Sequence, residues 1–171
     1  MDISLIDPAQ TSAEYGIRIG DPGARHVLLE FINLRCPYCR QWYQSAAKTL
    51  DKAVADKCVM RVIKLYDKDK ESLQRGNIMH RFVPKSDAKA ALAAIEAIFS
   101  TQDDWGDLSL AETAEFARTR LGLQETPDSY TADAIKAEAQ AANIQFVPTL
   151  ILGEHIFDES ISLAELTDFL A

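Results

Sequence analysis

The hydrophobic period of this chain changes abruptly at Cys36, and that break limits the possible folds more than any other feature. His26 to Leu34 (HVLLEFINL) is short and dense in aliphatic and β-branched residues, as in a strand covered on both faces. From Pro37 the period becomes helical, with Tyr43, Ala46, Ala47, Leu50 and Val54 on one face. Pro37 suits a first helical position, where its missing N–H costs nothing. Cys58 to Tyr66 (CVMRVIKLY) then returns to strand character. Strand, helix and strand predict a βαβ unit with parallel pairing and a right-handed crossover.

The flanking segments extend this unit. Tyr15 to Ile19 reads as a short strand ended by the turn Gly20-Asp21-Pro22-Gly23. Asp67 to Pro127 is helical in character. Ala88, Ala91, Leu92, Ile95 and Phe99 share one face, and Ser109 with Glu112 forms a capping box that opens a second helix, ending before Gly122. The apolar stripe of that second helix is Leu110, Ala114, Ala117 and Leu121, and Trp105 lies in the connection. A third helix spans about 130–142, with Ile135, Ala139 and Ala142 inward. Phe146 to Leu152 (FVPTLIL), a turn at Gly153-Glu154 and His155 to Phe157 predict a hairpin. Ser162 with Glu165 caps a last helix that turns Leu163, Leu166, Phe169 and Leu170 to the core.

Bulk properties narrow the function. A length of 171 residues fits one domain with its own core, and 47% hydrophobic content argues against disorder. Acids outnumber bases 26 to 18, which opposes nucleic acid or an anionic membrane as partner, since both demand clustered Lys and Arg. Met1 to Gln10 has no basic or apolar leader pattern and no apolar run reaches spanning length, so the expectation is a cytoplasmic protein without a membrane segment. Three cysteines do not make a secreted disulfide framework.

Two of those cysteines carry the chemistry. Cys36-Pro37-Tyr38-Cys39 puts both sulfurs within one helical turn, so the pair can close into a disulfide and reopen by thiol exchange. Cys36 sits where the free N–H groups and partial positive charge of the helix start converge, which lowers a thiol pKa. That makes Cys36 the nucleophile and Cys39, further in, the resolving thiol. A zinc site needs more ligands, and Cys58, His26, His80 and His155 include no second ligand-spaced pair, so no metal is expected. Cys58 reads as a core or partly buried thiol, and the histidines as surface or satisfied structural residues. Glu30 is an acid inside the apolar strand, six residues before Cys36. A buried carboxylate there can accept the Cys39 proton. Pro148 interrupts a strand pattern and so belongs at an edge, a start or a bulge. A cis bond after Val147, found in ~5–6% of X–Pro bonds, would turn the Val147 backbone outward for an extended substrate.

Together the LLEF segment, CPYC and FVPT resemble the thioredoxin superfamily, and within it the DsbA-like thiol–disulfide oxidoreductases. The resemblance covers nearly the whole chain. It implies an α/β thioredoxin-like fold, a central mixed sheet flanked by helices, in a single domain over 1–171. The thioredoxin core would span about 12–66 and 130–171, with an all-helical insertion at about 67–129. It also implies that Cys36 attacks, Cys39 resolves, Glu30 accepts the proton, and Val147-Pro148 is a cis-proline loop touching substrate and sulfurs. The implied substrates are protein or peptide thiols and disulfides, handled by a monomer with no cofactor beyond the Cys36–Cys39 disulfide and recycled by glutathione or a thioredoxin-type partner. Pro37-Tyr38 departs from the Pro-His of strongly oxidising DsbA members, which implies a less oxidising couple. Two rival readings are a glutaredoxin- or glutathione-transferase-like enzyme and a non-catalytic metal or iron–sulfur module.

Overall fold

In the computed structural model, which describes residues 2–171, strand gives way to helix at Cys36. The elements are β1 (Ile17–Ile19), β2 (His26–Ile32), α1 (Pro37–Ala55), β3 (Val59–Leu65), α2 (Gln74–His80), α3 (Ala88–Ser100) and α4 (Gln102–Trp105), followed by α5 (Leu110–Thr119), α6 (Ser129–Ala141), β4 (Thr149–Leu152), β5 (His155–Phe157) and α7 (Leu163–Leu170). The strands form one mixed sheet in the order β1-β3-β2-β4-β5. Its centre is the parallel pair expected from the sequence, β2 on β3, in register from His26↔Val59 to Ile32↔Leu65. The other three pairings are antiparallel.

Alternation along the strands divides the interior into two cores. Leu28, Ile32, Ile63 and Leu65 pack with Trp42, Ala46 and Leu50 of α1, Ile95, Phe99 and Trp105 of α3 and α4, and Leu166 and Leu170 of α7. On the opposite face Leu29, Phe31, Met60 and Val62 meet Ile135, Ala139 and Ile144 from and after α6. Each face also buries one ion pair. Arg61 Nε lies 2.7 Å from Glu30 Oε2, and Lys64 Nζ lies 3.0 Å from Glu138 Oε1. The helices between β3 and α6 join the α1 core instead of building their own, so they cover the end of the sheet where α1 begins.

Four local expectations are corrected. β1 starts at Ile17, not Tyr15, because Gly16 intervenes at φ 138°; a Cβ there would stand 2.8 Å from the Ile63 carbonyl oxygen. Leu110 and Leu163 are exposed, each directly after its capping serine, and α5 buries Thr113 and Phe116 beside the expected Ala117. Trp105 belongs to α4 and is fully buried, its indole N–H donating to the Ile98 carbonyl at 2.9 Å. β4 begins only at Thr149, after Pro148, which has no N–H to give a ladder, and Phe146 is left 51% exposed. Also not anticipated from the sequence, besides α4, are α2, with the 3-10 turn Glu71–Leu73 before it, and the short 3-10 turns Ile3–Leu5 and Pro8–Gln10.

Candidate redox site at the start of helix α1

Cys36 is the N-cap residue of α1 and Pro37 its first helical residue, as the sequence predicts. An N-cap side chain faces the unpaired N–H groups of the first turn, which favour negative charge. Both cysteines are free thiols and approach each other to 3.7 Å. Cys36 is pulled down to about 7, chiefly by the hydrogen bond from the Cys39 thiol. Burial opposes that shift, and the Cys39 and Tyr38 amides add to it. Cys39 is completely buried, and burial pushes its pKa well up. The Asn33 N–H donates to its sulfur at 3.4 Å. One thiol is thus prepared to be an anion and the other to remain protonated. Glu159, in the turn after β5, works against both thiolates.

Across from Cys36 runs the segment before β4. The Val147–Pro148 peptide bond is cis, and the Cys36 thiol donates to the Val147 carbonyl at 3.5 Å. Val147 takes no part in the β2–β4 ladder, which begins at Thr149. Tyr38 is 58% exposed, so with Phe146 it leaves two aromatic side chains uncovered in the segments that meet at Cys36.

Glu30 is fully buried on the α1 face of β2. Its burial is accommodated by pairing. Oε1 accepts from Trp42 Nε1 at 2.8 Å and from Arg61 at 3.0 Å, while Oε2 accepts from Arg61 Nε at 2.7 Å. Burial alone would lower the Arg61 pKa, but the Glu30 charge and hydrogen bonds outweigh it and the net shift is upward. The result is a charged tie between β2, β3 and α1. Trp42 and Arg61 were not singled out from the sequence, although Arg61 stands inside an apolar run and Trp42 lies three residues beyond Cys39 on the buried stripe of α1.

A family model described as Thioredoxin matches residues 12–171. The chain belongs to the thioredoxin family. Its structure superposes on a conserved protein of unknown function from Enterococcus faecalis V583 with TM-score 0.98 and 49% identity, covering 99% of this chain and 97% of the other. ScsC of Proteus mirabilis, in a transitional conformation, gives TM-score 0.69 at 23% identity, with coverage of 95% and 74%. Oxidised BdbD of Bacillus subtilis gives 0.65 at 12%, with coverage of 96% and 93%. The last two are likenesses of fold. No curated protein matches the chain.

Cys58 is partly buried beside Arg25, whose guanidinium donates to its sulfur at 3.1 Å, remote in the fold from the Cys36 turn. Among the described residues, no three or more His, Cys, Asp or Glu side chains are grouped as metal ligands, and no helix is long and apolar enough to cross a membrane.

Proposed function

We propose that this protein is a thiol–disulfide oxidoreductase that exchanges disulfides with protein or peptide substrates. The observation that carries the proposal is the division of the pair: Cys36 lowered to about 7 at a helix start, Cys39 buried and held protonated beside it. In the reducing direction the Cys36 thiolate attacks one sulfur of a substrate disulfide and expels the other as a thiolate. Cys39 then gives up its proton and attacks the Cys36 sulfur, which releases the second substrate thiolate. Two electrons have passed, and Cys36–Cys39 is a disulfide. The oxidising direction is the reverse, with a substrate thiolate attacking first. In this reading Glu30 accepts the Cys39 proton, since Oε2 keeps an acceptor site beyond its bond to Arg61.

Cys36 is itself only 5% exposed, and extended substrates are supported by what borders it: the exposed Tyr38 and Phe146 side chains and the backbone before β4. Val147 lies outside the sheet and can pair through its backbone with a chain laid across Cys36. The cavity of about 200 Å³ beside β1 and α6 is lined by none of these residues, so the pair is not the floor of that cavity. The test combines insulin reduction with Cys36 alkylation over a pH series in a Cys58→Ser background. We expect alkylation to follow a midpoint of about 7, activity to vanish in Cys36→Ala, and Cys39→Ala to accumulate mixed disulfides with proteins. Sustained turnover of glutathione mixed disulfides by Cys39→Ser, without protein adducts, would replace this reading with a glutaredoxin-like one.

A further inference from the structure

The four-residue backbone that leads into Cys36 has a partner for every N–H. Asn33 donates to the Cys39 sulfur, Arg35 to Asn33 Oδ1 at 2.9 Å, and Cys36 to the Asn33 carbonyl at 3.1 Å. Leu34 is the exception in kind, because its amide donates to a side chain from a distant part of the chain, His80 Nε2, at 3.2 Å. The carbonyls are held from the same side. Gln102 Nε2 donates to Leu34 O at 2.9 Å and to Cys36 O at 3.3 Å. Both partners of that amide are carbonyl oxygens, which fixes its nitrogen toward the loop. Its oxygen has no partner among the described residues.

His80 is itself held in place. It is fully buried at the end of α2, and Nδ1 lies 2.7 Å from Asp67 Oδ1. Since Nε2 accepts from the Leu34 amide, the ring proton belongs on Nδ1, where it donates to Asp67. Arg81 pairs with the other Asp67 oxygen. Lys85 closes the cluster by donating to the His80 carbonyl at 2.7 Å. No hydrogen bond joins His80, Asp67, Arg81 or Lys85 to either active-site sulfur; the cluster reaches the Cys36 loop through the Leu34 amide.

We infer that His80, oriented by Asp67, is a positioning residue of the redox site: it fixes the Leu34 amide and thereby the backbone that holds Cys36 against the first turn of α1. The inference rests on the dithiol reading above and adds the part played by the inserted helices. Cys36 stands at the N-cap of α1, where the unpaired amides and partial positive charge of the helix start favour its anion, an effect that falls off within the first turn and so depends on how the loop sets the sulfur. A loop released from His80 therefore costs thiolate stability before it costs the fold. Burial keeps the imidazole neutral by lowering its pKa, against the pull of Asp67.

The experiment titrates the Cys36 thiolate by its ultraviolet absorbance in a Cys58→Ser background, alongside urea unfolding, for His80→Leu, His80→Gln and Asp67→Asn. These readouts need no substrate, so they stay interpretable even if the wild type fails to reduce insulin. His80→Leu is expected to raise the Cys36 midpoint by about half a unit or more, an approximately threefold change in its ionisation constant that cuts the thiolate at pH 7 from about a half to about a quarter. His80→Gln, whose amide oxygen reaches toward the position of Nε2, restores most of that shift. Asp67→Asn moves the midpoint in the same direction by less. An unchanged midpoint in folded His80→Leu overturns the inference, as does a His80→Gln protein that behaves like His80→Leu. If His80→Leu does not fold, Asp67→Asn decides: a shifted midpoint supports the relay and an unshifted one sinks it.

Discussion

The most expensive residues in this molecule are charges, not hydrophobes. Glu30 and Arg61 give up hydration completely, and each is tolerable only because the other is 2.7 Å away. Replacing Glu30 alone with Leu strands a buried guanidinium and is expected to cost about 3–5 kcal/mol. The double variant Glu30→Leu/Arg61→Met should recover much of that loss, since well-packed apolar replacements for a buried pair are often neutral. Urea unfolding of the wild type, Glu30→Leu, Arg61→Met and the double variant measures the coupling; a double variant as unstable as the sum of its singles would show that the two charges do not depend on each other. Resolution of the mixed disulfide in the double variant then reports separately on Glu30 as proton acceptor. Cys36, Cys39, Glu30 and Pro148 were legible in the sequence because each breaks or punctuates a pattern. Arg61 breaks one too, but its meaning depends on the parallel register that brings β3 beside β2, 31 residues away in sequence. Periodicity says which face a residue takes, not which strand lies next to it.

Among the elements of more than one turn, α2 is the one the sequence concealed. It has seven residues, no side-chain N-cap and a glycine inside, so neither length nor capping announces it. The two capping boxes at Ser109 and Ser162, by contrast, mark the starts of α5 and α7 as written. The glycine that hides α2 is also what lets it approach the active-site loop. A Cβ on Gly76 would overlap the Asn33 side chain and stand 2.7 Å from the Arg35 amide nitrogen. Gly76→Ala is therefore expected to push α2 off the loop, although alanine is the better helix former by about 1 kcal/mol. Overpacking should win, with a net loss of about 1–3 kcal/mol and a rise in the Cys36 midpoint. Denaturation and thiolate titration of the variant check both; a stabilised protein with an unmoved midpoint would mean that the loop and α2 separate without consequence.

For the whole molecule, the two thiols make stability depend on pH in opposite senses. Cys36 is an acid whose folded-state pKa, about 7, lies below the ~8.5 of an unfolded thiol. Its contribution is full above ~8.5 and is lost as pH falls through 7, a change on the order of 2 kcal/mol. Cys39 is raised instead, so above ~8.5 the unfolded chain releases a proton that the folded protein retains, and stability falls. His80, a base lowered by burial, adds a further loss below ~6.5, where only the unfolded chain takes up its proton. Urea unfolding of the reduced protein should show stability rising between pH 7 and 8.5, and the Cys36→Ser variant should lack that rise. A rise of equal size in that variant would remove Cys36 as its source. The loop carries one more consequence. Its supports reach it through main-chain atoms at Leu34, Arg35 and Cys36, while Pro37 and Tyr38 turn their side chains to solvent. The scaffold therefore keeps its grip whatever those two residues are, which makes the dipeptide an interchangeable cartridge: redox tuning can be rewritten there, by selection or by design, without renegotiating the fold.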